Sequence, residues 1–274
     1  MNAFEKIVNF LNGKMTTPTN YGWFHLLFVG IVIAAAVLLC IFFKNCNDRV
    51  FRRIVLISWA VVFALEIYKQ VVFAFIYDGV AVTWDYAWYA FPYQLCSTPL
   101  YVLPFIFLMK DSKLRDCFIS YMSFFSLFAG VAVFFYPNDV FTATTGINIQ
   151  TMIHHGTQIV LGVFFVVRKR DSFNLKLYVK SVPVFAILVS IAVFLNEIVY
   201  SAFASKGIEE TFNMFYISRH YGCTLPILSE IYKVIPYAAF VLIYFFGFIV
   251  VSFIIFLICK LILTLVERAR GYAE

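Results

Sequence analysis

Residues 22–43, GWFHLLFVGIVIAAAVLLCIFF, carry no Asp, Glu, Lys or Arg and run directly into KNCNDRVFRR at 44–53. An apolar run of this length can cross the ~30 Å hydrocarbon core of a bilayer as one helix. The basic cluster behind it marks which side the helix exits on. Six further apolar stretches repeat the theme, giving expected crossings at about 22–43, 54–77, 92–109, 117–135, 147–167, 179–203 and 234–263.

The basic residues set the orientation. Lys44, Arg49, Arg52 and Arg53 follow the first stretch, Lys110, Lys113 and Arg115 the third, and Arg168, Lys169, Arg170, Lys176 and Lys180 the fifth. The tail adds Lys260, Arg268 and Arg270, so these connections and the tail hold fifteen of the 21 Lys and Arg. The alternate side has Lys6, Lys14, Lys206, Arg219 and Lys233, and nothing basic in 78–92 or 136–148. Cytoplasmic loops carry the excess of Lys and Arg. The expectation is therefore an all-α polytopic membrane helix bundle. It has seven transmembrane helices in a single integral membrane domain over 1–274, N-terminus outside and C-terminus inside.

Composition agrees. The chain is 63% hydrophobic and 13% charged, with a mean hydropathy of +0.88, which excludes an ordinary soluble domain. The net charge of +6 sits on the expected inner loops. It reports topology and contact with anionic lipid, and no nucleic-acid partner is expected. Tyr and Trp partly cluster at span ends, as in an interfacial belt. Residues 1–21 are polar and the first apolar run is too long for a signal-peptide core, so no leader is expected.

Polar side chains at membrane depth are costly and are functional candidates by default. The second stretch holds Glu66, Lys69 and Gln70, the third Gln94 and Cys96. The fifth holds Thr151, His154, His155 and Gln158, the sixth Asn196 and Glu197. At 1.5 Å per residue these groups lie roughly 6–16 Å below the outer surface. They predict a polar chamber in the outer half of the bilayer, with the inner half almost purely apolar. Glu66 and Lys69 are three apart on one helix face, which suits either a structural ion pair or a group that orients a site. Thr151, His155 and Gln158 share a face, and His154 is expected to point roughly 100° away. Pro92 opens the third stretch, and Pro99 and Pro104 inside it predict kinks.

Cys96 and Cys223 are the two cysteines on the outer side. They could form a disulfide, or Cys96 could be a nucleophile with His155 as its base, since an imidazole can stabilise a thiolate. His154-His155 cannot both face one ion from a regular helix, and HExxH, Walker, Rossmann and GxSxG patterns are absent. Neither metal nor cofactor is expected. Residues 204–233, the one long outer connection, should pack on the bundle as a lid or re-entrant segment. Within it, Arg219 suits either a lipid head group or a solvated surface.

Three short motifs in order resemble a known family. Phe91-Pro92-Tyr93-Gln94-Leu95-Cys96 resembles the LPxHLC motif of YwaF-type bacterial integral membrane proteins. His155-Gly156 resembles that family's SHG, and Asn196 followed by Asn213-Met214-Phe215-Tyr216-Ile217 resembles its N…NYMYL ending. Eukaryotic relatives include transmembrane protein 164, a phospholipid acyltransferase thought to use a Cys and a His. The resemblance implies Cys96 as acyl acceptor, His155 as base and polar support from Asn196, Asn213 and Tyr216. It further implies membrane lipids as substrate or ligand and residence in a bacterial cytoplasmic membrane. The chain departs from the pattern at Gln94, where the family has His, at His154, where it has Ser, and at Met214, where it has Tyr.

Three functions fit these readings. A lipid acyltransferase would use Cys96 and His155, with Asn196 or backbone donors near Pro99 holding the oxyanion. A seven-helix binding or sensor protein would hold an apolar ligand in the chamber without chemistry. A proton-coupled transporter would use Glu66, Lys69 and His155, and the apolar inner half counts against it.

Overall fold

Asn2 starts the first helix, α1 (Ala3–Leu11), through a capping box. Its side-chain oxygen accepts from the Glu5 N–H at 2.9 Å, and the Glu5 carboxylate accepts from the Asn2 N–H at 2.7 Å. The polar lead-in thus contains an amphipathic helix whose buried residue is Val8. The computed structural model describes residues 1–137 and 140–271. Helix α2 (Trp23–Phe43) buries Phe24, His25, Val32 and Ala36 and leaves Ile31, Ile33, Leu38, Ile41 and Phe42 exposed, as a lipid-facing helix does.

Helix α3 (Asp48–Ala74) is capped by Asn47, whose side chain accepts from the Val50 N–H. The sequence reading carries this segment on to 77. Residues 75–77 instead form a short strand, β1 (Phe75–Tyr77), paired antiparallel with β2 (Val82–Trp84), Phe75 opposite Trp84. Asp78 Oδ1 accepts from the Val80 and Ala81 N–H groups at 2.8 Å each, and Gly79 takes φ +99°, so the turn closes there. The α1 helix packs on this hairpin, Phe4 meeting Phe75 edge-on.

The third stretch also differs from expectation. A single 3₁₀ turn, Leu95–Ser97, precedes a helix α4 (Pro99–Leu108) of only 10 residues. Pro99 does not kink a helix; it starts one, at the first position, where its missing N–H costs nothing. Pro104 lies inside α4.

Helices α5 (Lys113–Tyr121) and α6 (Leu127–Phe135) are one rod interrupted by a π turn at Met122–Ser126. Helix α7 (Thr145–Arg168) packs against α2, α3, α6 and the π turn, with buried residues all round it. Small residues permit this closeness. A Cβ on Gly130 would lie 2.7 Å from the His155 carbonyl oxygen, and one on Gly156 would lie 2.5 Å from a Val32 methyl. The chain continues through α8 (Leu175–Val179), α9 (Ser181–Lys206), α10 (Leu228–Val234) and α11 (Tyr237–Gly271).

Among the described residues, five helical stretches are long and apolar enough to cross a membrane: Trp23–Phe43, Lys113–Phe135, Thr145–Arg168, Leu175–Lys206 and Tyr237–Ala269. Beside them stand the 27-residue α3 and a shorter apolar stretch, Leu95–Leu108. The connections sort onto two ends of the bundle. At the basic end Arg115 pairs with Asp48 and Asp111, Lys169 and Lys180 with Asp116, and Arg168 bonds the Cys46 carbonyl. At the other end Met15 bonds Ala143, Thr145 bonds Gly13, and Tyr68 bonds Leu11.

The long connection after α9 leaves through Gly207 in the left-handed conformation, φ +65°. It then turns inward, and Phe212, Met214, Phe215 and Ile217 are buried in the main core. This segment plugs the end of the bundle, as its aromatic content suggests.

Candidate functional site

The site is built around α3. Glu66 and Lys69, one helical turn apart, form an ion pair at 2.8 Å, and the Glu66 side chain is 6% exposed. The Gln70 amide donates to the same Glu66 oxygen at 2.7 Å and to the Ala90 carbonyl at 3.0 Å. Tyr86, on the connection after β2, donates to Gln70 Oε1 at 2.6 Å. Burial, and then the Glu66 charge, push the Tyr86 hydroxyl up to about 12, so it remains a donor. The second Glu66 oxygen is buried without a hydrogen-bond partner among the described residues.

Cys96 sits half-buried in the 3₁₀ turn just before α4. Its sulfur lies in the field of Lys69 and Glu66. All six cysteines are free, Cys96 and Cys223 among them, so the disulfide between these two is not formed. Helix α7 supplies the other wall. His154 Nε2 and Gln158 Nε2 both lie 2.7 Å from the Cys96 carbonyl oxygen. His155 Nδ1 bonds the Thr151 carbonyl at 2.8 Å. A carbonyl can only accept, so His155 carries its proton on Nδ1 and keeps a lone pair on Nε2. The two imidazole rings are 5.5 Å apart.

Here the sequence reading of His154 is corrected. A helix surrounded by neighbours has no face that points away, and the His154 ring reaches the Cys96 carbonyl. Among the described residues no hydrogen bond joins the Cys96 sulfur to either imidazole.

Gln94, Asn196 and Asn213 do a different job from the one expected of them. Asn196 brackets Met214, donating to its carbonyl at 3.0 Å and accepting from its N–H at 2.7 Å. Gln94 donates to the Asn213 carbonyl at 2.9 Å and accepts from the Phe215 N–H at 2.8 Å. Asn213 in turn bonds the Gly222 carbonyl and the Ser218 N–H. Gln94 and Asn196 clip the inturned connection to the bundle and Asn213 braces it internally, where Phe215 and Tyr216 both take positive φ. Through its oxygen and one amide N–H, Asn196 clamps the loop. Tyr216 lies in that clipped turn, 37% exposed. Glu197 pairs with His220 of the same connection at 3.1 Å.

The structure adds residues beyond those read from sequence. Thr98 and Tyr121 are fully buried and share a 2.7 Å hydrogen bond. Thr98 also donates to the Leu95 carbonyl of the turn that carries Cys96. Its place two residues after Cys96 was a usable signal; Tyr121, at the π turn, had none. Along α3 a groove of about 510 Å³ is lined by Trp59, Phe63, Ile67, Val71 and Leu100, with Glu66 and Gln70 on its wall. No group of three or more acidic, His or Cys residues that could hold a metal occurs among the described residues.

Compared with known proteins, residues 16–261 match the model of the TMEM164 family. The match covers most of the chain, which therefore belongs to the TMEM164 family. No curated protein and no solved structure matches it.

Proposed function

We propose that this member of the TMEM164 family is a seven-helix membrane enzyme that moves acyl chains between lipids through a thioester on Cys96. Five helices have the length and hydropathy of crossings. Counting α3, about 40 Å long at 1.5 Å per residue, and the 95–108 stretch gives seven. The segregation of basic residues to one end supports an outer N-terminus and an inner C-terminus. A bacterial cytoplasmic membrane is the setting that the motif resemblance implies.

The observation that carries the reading is the 2.7 Å bond from His154 to the Cys96 carbonyl. It draws the two-histidine stretch of α7 to the free cysteine of the polar cluster. The Lys69 charge acts on the sulfur beside that of Glu66. The groove beside Glu66 is apolar and opens toward lipid, which suits an acyl chain.

In the first half-reaction His155 Nε2 takes the thiol proton and the sulfur attacks the donor lipid's ester carbonyl. The C–O bond breaks, the thioester forms, and the departing lysolipid alkoxide takes the proton from His155. In the second half-reaction the acceptor lipid's hydroxyl gives its proton to His155 as its oxygen attacks the thioester. The C–S bond breaks and the thiolate regains that proton. The test is acyl exchange between defined lipids in proteoliposomes. Cys96→Ser and His155→Ala should nearly abolish exchange while melting like the wild type. Full activity in Cys96→Ser would refute the nucleophile.

A further inference from the structure

Two α7 side chains converge on one backbone atom. His154 Nε2 and Gln158 Nε2 each lie 2.7 Å from the Cys96 carbonyl oxygen. Because a carbonyl only accepts, His154 carries its proton on Nε2 and Gln158 turns its nitrogen toward the turn. Both side chains are nearly inaccessible, at 3% and 1%.

Local sequence explains why that carbonyl is available. In the 3₁₀ pattern Gln94 O receives the Ser97 N–H and Leu95 O receives the Thr98 N–H. The next donor in the series would be residue 99, and Pro99 has no N–H. The Cys96 carbonyl is thereby released from its own helix and captured by α7. The capture leaves buried acceptors behind: among the described residues, His154 Nδ1 and Gln158 Oε1 have no hydrogen-bond partner. Unpaired buried acceptors are costly, and a purely structural helix contact would not need to carry two of them.

We infer that His154 and Gln158 are positioning residues that clamp the Cys96 peptide and so fix where the thiol stands. The inference rests on the Cys96 reading above and divides labour within the two-histidine stretch. His155, with its free Nε2 lone pair, is the base; His154 acts only as a donor, through the backbone of the nucleophile.

The experiment compares His154→Leu, His154→Gln and Gln158→Leu with wild type in the full-length protein, each checked by thermal melting. Leu removes the donor, whereas Gln keeps an N–H but cannot titrate. Small displacements of a reacting group cost up to about 100-fold in rate. His154→Leu should therefore lower kcat about 10- to 100-fold with KM little changed, and Gln158→Leu should do so less severely. His154→Gln should recover most of the rate and keep the wild-type pH profile of kcat. A wild-type rate in His154→Leu would overturn the clamp. So would a His154→Gln variant as slow as Leu that has lost the pH dependence, since His154 would then be a base. If the wild type transfers no acyl group, the acyltransferase reading fails separately. The clamp is then read from maleimide alkylation of Cys96, mapped by peptide. That rate should change about tenfold in His154→Leu and return in His154→Gln; an unchanged rate overturns it.

Discussion

Replacing Glu66 by Leu should strand the Lys69 ammonium in a largely buried setting. The wild-type carboxylate receives Lys69 at 2.8 Å and Gln70 at 2.7 Å on one oxygen, with Lys69 17% exposed and Glu66 6%. A lone Lys at the centre of a membrane helix costs about 2.5–3.5 kcal/mol, and breaking a buried pair from one side is penalised similarly. Lys69 is five residues from the end of α3, so its long stem can carry the charge partway toward water. The expected loss is therefore about 2–3.5 kcal/mol for Glu66→Leu, and Lys69→Leu, which strands the carboxylate, should lose a comparable amount. The double change removes both charges and should cost less than either single change. Reversible unfolding in mixed micelles, run as a double-mutant cycle, should give a coupling of about 1–3 kcal/mol. Losses that simply add would refute the pairing, whatever the distance between the groups.

Asn196→Ala should free both backbone groups of Met214 in a buried setting, at about 1–3 kcal/mol for each unpaired group. Limited proteolysis should then cut within 208–227, and an uncut loop would show that Gln94 and Asn213 hold it alone. Gly130→Ala pushes a methyl against the His155 carbonyl and should cost about 1–3 kcal/mol by overpacking, read as a lowered Tm; an unchanged Tm would mean that α6 and α7 can separate freely. Single-cysteine labelling with an impermeant maleimide should mark Asn12→Cys and Lys206→Cys from outside intact cells and Arg49→Cys only after permeabilisation. The reverse pattern would overturn the orientation.

The five stretches long and apolar enough to cross a membrane were readable because run length is a property of whole segments. Their ends were harder. Phe75-Ile76-Tyr77 continue the apolar run of α3, and the strand they form is dictated by Asp78 and Gly79 just beyond it. Pro99 was expected to kink a helix because sequence alone does not show whether α4 starts before or at it. The ion pair of Glu66 and Lys69 follows from their spacing. The roles of Gln94, Asn196 and Asn213 do not, because an amide bonds a backbone segment as readily as it lines a chamber, and only the path of 208–227 decides. His154 was misplaced for a related reason. Helical periodicity gives directions around α7, but not that partners stand on every side of it.

The most direct test of the account is to look for the intermediate. Full-length protein is mixed with a phospholipid carrying a deuterated acyl chain, quenched in acid, digested and mapped by mass spectrometry. The peptide containing Cys96 should gain the deuterated acyl mass, lose it on treatment with neutral hydroxylamine, and gain nothing in Cys96→Ser or His155→Ala. Acyl transfer that proceeds without any label on Cys96, or label retained in His155→Ala at the wild-type rate, would contradict the account.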